Sequence, residues 1–238
     1  MCGRFTLSTD TRTLADHFDL SDVPSLFPEP RYNIAPTQDI PVVRLSPDEG
    51  DREATMMHWG LIPSWADDPD EFAGRMINAR GETMDEKPMF KRAFSRRRCL
   101  IPANGFYEWK SQGKGKPKQP HFIRVSGQEL FAFGGLWEYW KDKDSGDEIV
   151  SCTILTTEPN ELVKPLHDRM PVVIGPDDYG VWLDGESPAE KVKPLIRPYP
   201  ADRMEAWPVS KAVNSPRNDS AECIEPLSKG ETGTLFGE

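Results

Sequence analysis

From Cys99 to Thr156 the chain alternates short apolar and aromatic runs with turn residues, and this pattern limits the fold more than any other feature. Cys99 to Pro102, Gly105 to Lys110, His121 to Val125, Leu130 to Trp140 and Ile149 to Thr156 each read as strands. Asp144-Ser145-Gly146-Asp147 makes the turn into the last of them. Ile40 to Leu45, Glu53 to Leu61, Val172 to Ile174 and Met204 to Val209 are predicted strands as well. The predicted helices are short. One is capped by Thr9 or Asp10 and runs to Asp19, with Leu14 and Phe18 on one face. Others span Phe72 to Met76, Gly81 to Phe94 with a break at Pro88, Glu158 to Lys164, Pro176 to Leu183 and Pro188 to Leu195. Nothing repeats at a fixed period. Strands that meet through turns rather than long helical crossovers predict an α+β fold: a single domain with a strongly bent mixed or antiparallel sheet, barrel-like, flanked by short helices.

A chain of 238 residues can bury a sizeable core, and no linker divides it. A proline-bearing connection (Pro24, Pro28, Pro30) follows the first helix, and acidic turns such as Asp48-Glu49-Gly50-Asp51 interrupt the strands. The expected domain is residues 1–225, followed by a flexible tail over 226–238 with no periodicity. No apolar run reaches the ~20 residues that span a bilayer, and no basic-then-apolar export signal opens the chain. A cytoplasmic protein with free thiols is expected, because Cys2, Cys99, Cys152 and Cys223 form no CxxC pair. His17, His58, His121 and His167 show no metal-ligand spacing, so no metal and no cofactor is predicted. The net charge of −10 is unevenly spread. Residues 87–124 hold eleven lysines and arginines against one acid, Glu108, which leaves +10 there and −20 on the remainder. That block fits either a polyanion-binding face or a set of solvated charges.

Candidate chemistry starts at the amino terminus. Methionine is commonly removed before a small residue, and removal of Met1 would leave Cys2 with a free α-amine beside its thiol. The amine titrates near pH ~8 and the thiol near ~8.5, so both are partly nucleophilic at neutrality. Such an aminothiol condenses with an aldehyde to a Schiff base and closes to a thiazolidine. The plain alternative is that Cys2 is an incidental second residue. Glu108 lies in an aromatic strand between Tyr107 and Trp109, on one face with Phe106 and Lys110. Facing an apolar pocket, it would have a raised pKa and serve as a general acid; facing outward, it would be an edge charge. His167 follows a predicted helix in a loop and suits proton transfer, or is simply solvated. Asn78 could hold a substrate or cap the following helix. Of the seven tryptophans, Trp65 is the one assigned to stacking on single-stranded bases, with arginines holding phosphates.

Met1-Cys2-Gly3-Arg4-Phe5 and Arg31-Tyr32-Asn33-Ile34-Ala35-Pro36 resemble blocks of the SOS response-associated peptidase (SRAP) family of abasic-site processing proteins. Trp59-Gly60-Leu61-Ile62-Pro63, Ile77-Asn78-Ala79-Arg80-Gly81-Glu82 and Cys99 through Trp109 continue the resemblance. Phe133 through Glu138, Thr153 through Asn160, His167 through Pro171 and Pro208 through Asn214 carry it to the end of the domain, all colinear. The resemblance implies self-removal of Met1 and a covalent crosslink between Cys2 and the aldehyde of an abasic site in single-stranded DNA. It implies Cys2, Asn78, Glu108 and His167 as the catalytic set. Glu108 would then shuttle protons, His167 would stabilise the Schiff base or opened sugar, and Asn78 would orient the α-amine. Arg4, Asn33, Trp65, Arg80 and Arg169 are implied as DNA contacts. The expected partner is single-stranded DNA bearing abasic sites, bound by a monomer that is nucleoid-associated when engaged, with no membrane partner. Two other readings stay open at this point: an N-terminal-nucleophile amidohydrolase, and a non-catalytic binder of single-stranded nucleic acid.

Overall fold

A computed structural model describes residues 2–20, 29–47, 49–72 and 74–227. Met1, Asp48, the connection 21–28 with Pro24 and Pro28, and residues 228–238 of the expected tail lie outside the described residues. The strands are β1 (Phe5–Leu7), β2 (Arg31–Ile34), β3 (Asp39–Leu45), β4 (Arg52–Trp59), β5 (Asn78–Arg80), β6 (Arg98–Ala103), β7 (Gly105–Lys110), β8 (Gln119–Val125), β9 (Phe131–Lys141), β10 (Glu148–Thr157), β11 (Met170–Pro171), β12 (Val173–Ile174) and β13 (Met204–Pro208). The helices are α1 (Thr11–Phe18), α2 (Pro88–Arg96), α3 (Tyr179–Leu183) and α4 (Ala189–Val192).

The strands build two sheets. An antiparallel sheet of five runs in the order β13-β8-β7-β1-β2. In the larger sheet, β10 pairs with β4 on one side and β9 on the other, so β10-β4-β3-β6-β9 closes on itself as a five-strand ring. This is the barrel-like α+β domain expected from the sequence. Closure demands bare backbone at one crossing: a Cβ on Gly135 of β9 would stand 2.9 Å from Ile101 and 3.0 Å from Cys99 and from the Thr153 carbonyl. β5 and β11 extend β10 beyond the ring, by parallel pairing of Asn78 with Ile154 and antiparallel pairing of Met170 with Thr157.

The core lies between the sheets. Phe5 of β1 meets Trp59 and Phe133 edge-on at 5.2 and 6.0 Å, and Phe106 of β7 meets Phe133 at 5.9 Å. α1 begins at Asp10, whose carboxylate accepts from the Thr13 amide at 3.0 Å, and buries Leu14 and Phe18. Two predicted helices do not form. Around 72–76 Gly74 adopts φ +76°, incompatible with a continuing helix, and only a 3-10 turn at Pro69–Glu71 precedes it. Residues 161–166 make successive turns, because Pro165 removes the amide a longer helix would need. At the other end Pro226 bridges to Val209, and the Leu227 amide donates to the Pro208 carbonyl at 3.0 Å.

Candidate active site

Cys2 reaches the site because β1 is pinned on both sides. Phe5 pairs with Ile34 of β2 and with Phe106 of β7, and the Tyr107 amide donates to the Arg4 carbonyl at 3.0 Å. Continued one step, this register sets Gly3 opposite Glu108, and Cys2 next to it lies within reach of the Glu108 charge. Cys2 is fully buried, and the Asn78 side-chain amide donates to its carbonyl at 2.8 Å. Asn78 is therefore a strand residue that grips the N-terminal segment. It caps no helix, since the 3-10 turn after it starts at Gly81 with Arg80 at the cap position and no side-chain cap bond.

Glu108 faces inward beside Phe106, and 2 % of its surface is exposed. Burial pushes its carboxyl up from 4.5 to about 7, against the opposing positive charge of the amino terminus, with Asp168 adding to the rise. The same burial, with Glu108's charge added, pushes the Cys2 thiol well above its ordinary value. The thiol therefore stays protonated near neutrality and needs a base, and the neighbouring carboxyl is half-ionised at that pH. His167 is held below its ordinary pKa, first by burial and then by the positive amino terminus, so the ring is neutral at pH 7. Its Nδ1 accepts the Arg169 amide hydrogen at 3.0 Å. The Asp168 carboxylate also lies 2.8 Å from this nitrogen. It is 88 % exposed, and it would accept a hydrogen bond from this nitrogen only where Nδ1 carries a proton.

The expected DNA contacts divide. Trp65 is 60 % exposed, the large hydrophobic residue left in solvent among the described residues, and Arg80 is exposed with no described ion pair. Trp59, by contrast, is fully buried and donates its indole hydrogen to the Ile77 carbonyl at 2.9 Å. Arg4 donates to Asn33 Oδ1 and the Val213 carbonyl, both at 2.8 Å. Asn33 is fully buried; its amide donates to the carbonyls of Val213, Ser215 and Asn218. It supports Arg4 and the 213–218 loop and offers no group to solvent. Arg169 donates through both Nη atoms to the Glu82 carboxylate, at 2.8 and 2.7 Å.

The basic block is not one surface. Arg98 is buried and donates to the carbonyls of Trp182, Phe94, Ser95 and Asp184. Arg97 pairs with Glu138, and Arg96 with Glu186. Lys114, Lys116 and Lys118 remain exposed in the β7–β8 loop. Glu82 and Asp219 carry structural duties that composition does not reveal. Asp219 pairs with Arg31 and accepts the backbone amides of Tyr32 and Asn33. Among the described residues no group of three His, Cys, Asp or Glu converges to hold a metal, and no helix is long and apolar enough to cross a membrane.

Comparison with known proteins gives this arrangement a context. The family model described as SOS response associated peptidase (SRAP) matches residues 1–216. The chain is 44 % identical over 230 residues to the abasic site processing protein YoaM of Bacillus subtilis, covering 94 % of this chain and 98 % of that protein. It is 33 % identical to the abasic site processing protein HMCES of Xenopus tropicalis, over 84 % of this chain and 67 % of the relative. A crystal structure of a protein from Bacteroides thetaiotaomicron superposes with a TM-score of 0.86 at 25 % identity, covering 95 % of this chain and all of the other.

Proposed function

The chain belongs to the SOS response associated peptidase (SRAP) family, and on that premise we propose that it crosslinks itself to abasic sites in single-stranded DNA through Cys2 after removing its own Met1. The observation that carries the reading is a buried Cys2 held by Asn78 next to a buried carboxyl that titrates near neutrality.

Each step balances without an external reductant or oxidant. The freed α-amine of Cys2 adds to the aldehyde carbon of the opened sugar. Glu108 in its acid form protonates the departing hydroxyl, water leaves, and a Schiff base remains. The Schiff base is left protonated on nitrogen; Glu108, now a carboxylate, accepts the thiol proton as sulfur attacks the imine carbon, and the nitrogen keeps its hydrogen as the N–H of the ring. The ring closes as a thiazolidine and Glu108 is ready for the next transfer. Asn78 orients the N-terminal segment through the Cys2 carbonyl, and His167 stabilises the opened sugar. Trp65 stacks on a base while Arg80 neutralises backbone charge, with Arg4, braced by the buried Asn33, and Arg169 framing the groove. The protein acts as a cytoplasmic monomer that joins the nucleoid when engaged, shielding the lesion during the response to DNA damage. The names of the relatives YoaM and HMCES support this choice of lesion.

The test uses a single-stranded oligonucleotide with one uracil excised to an abasic site. Wild type should give a heat-stable shifted band on a denaturing gel; Cys2→Ala and a form retaining Met1 should give none. Absence of the band in wild type, with Met1 removal confirmed by intact mass, would refute the reading.

A further inference from the structure

Asn78 and His167 come from separate parts of the chain, and one side chain bridges them. Asn78 and Arg80 belong to β5, which turns at Gly81–Thr83 and presents Glu82. His167 precedes β11, which pairs with the far end of β10. Arg169 spans the gap. Its guanidinium forks onto Glu82 with two hydrogen bonds, and Nη2 also donates to the Thr156 carbonyl of β10 at 2.7 Å. The Arg169 side chain is 14 % exposed, with its Thr156 bond turned inward and its Glu82 fork at the surface. With the guanidinium anchored and the next residue in β11, the Arg169 amide has little freedom, and it donates to His167 Nδ1 at 3.0 Å. Two neighbours compete for Nδ1: the Arg169 amide needs a bare nitrogen, and the Asp168 carboxylate at 2.8 Å needs a protonated one. Asp168 is 88 % exposed and water satisfies it, whereas the anchored amide has no other acceptor among the described residues, so the neutral ring carries its proton on Nε2 for as long as the amide is held in place.

We propose that Glu82 is a positioning residue: through Arg169 it holds the 167–169 loop so that His167 meets the substrate as the Nε2-protonated tautomer. The ring then donates a hydrogen bond to oxygen on the opened sugar and leaves proton shuttling to Glu108. The consequence for the reaction rests on the crosslinking function above. The tautomer does not, because it is a property of the free protein. Glu82 itself is 41 % exposed, so its ion pair adds little to global stability, and Glu82→Gln keeps a hydrogen-bond acceptor for the Arg169 guanidinium.

The experiment labels histidine with 15N and reads the ring nitrogens of the DNA-free protein by two-dimensional NMR. The chain has four histidines, and a His167→Gln sample assigns the resonances of interest. Wild type should show His167 Nδ1 unprotonated and Nε2 protonated. Glu82→Gln, which keeps the shape and loses the charge, should give a mixture of tautomers and a single-turnover crosslinking rate lower by about tenfold at saturating DNA. Glu82→Asp should recover part of both. A single unchanged tautomer in Glu82→Gln overturns the proposal. So does tighter DNA binding at an unchanged rate, which would mean that Glu82 merely occupies the Arg169 fork until a phosphate replaces it. If no wild-type crosslink forms but the tautomer shifts in Glu82→Gln, the clamp stands and the abasic-site reading falls.

Discussion

Replacing Glu108 by Gln tests the electrostatics of the site without reference to any substrate. Glutamine is nearly isosteric with the protonated acid and cannot ionise. Below pH 4.5 the carboxyl is protonated in folded and unfolded chains alike, and wild type and variant should be almost equally stable. Between 4.5 and about 7 the unfolded chain ionises first. Above pH 7 the folded chain must carry a buried carboxylate, so wild-type stability falls through this window. The displacement from 4.5 to about 7 corresponds to roughly 3 kcal/mol at its limit, from 1.36 kcal/mol per pH unit. For a domain of this size that is a difference in Tm of roughly 6–12 °C, with Glu108→Gln the more stable at pH 8 and the gap nearly closed at pH 4.5. Thermal melts by circular dichroism at intervals between these pH values provide the assay, on samples with the same N-terminus by intact mass. A gap that does not change with pH, or a Gln variant that is the less stable at pH 8, would refute the assignment of a desolvated carboxyl at this position.

Trp65→Ala should leave Tm within a degree or two, since the ring is largely in solvent, yet weaken single-stranded DNA binding by about 1–3 kcal/mol in a fluorescence titration. Arg98→Ala removes a buried cation that ties four carbonyls together, and chemical denaturation should show a loss of about 3–5 kcal/mol. Asn78→Ala leaves the Cys2 carbonyl without its side-chain donor; stability should fall by roughly 1 kcal/mol, and the crosslinking rate by far more than that loss explains.

The sequence alone determined much of this protein. Alternation in the central strands, turn residues between them and the want of long helical runs were enough for a bent, barrel-like α+β domain, because those patterns report local backbone preference and one buried face. The colinear blocks from Met1 to Asn214 singled out Cys2, Asn78, Glu108 and His167 as candidates through the family resemblance. What local pattern could not decide was environment. Glu108 as an edge charge or a buried acid depends on what the other sheet lays against β7, and Asn78 as a cap or a grip depends on where the N-terminal segment arrives. Arg96-Arg97-Arg98 looks like one basic cluster in sequence, but in three dimensions one member is buried among carbonyls and the other two are paired with acids. Asn33 likewise looks like a surface ligand and proves to be a buried brace. Sequence assigns no role to Glu82, because its partner lies 87 residues away and meets it only after β5 and β11 both dock on β10. Burial and long-range pairing set pKa values and hydrogen-bond partners, and both are products of tertiary closure.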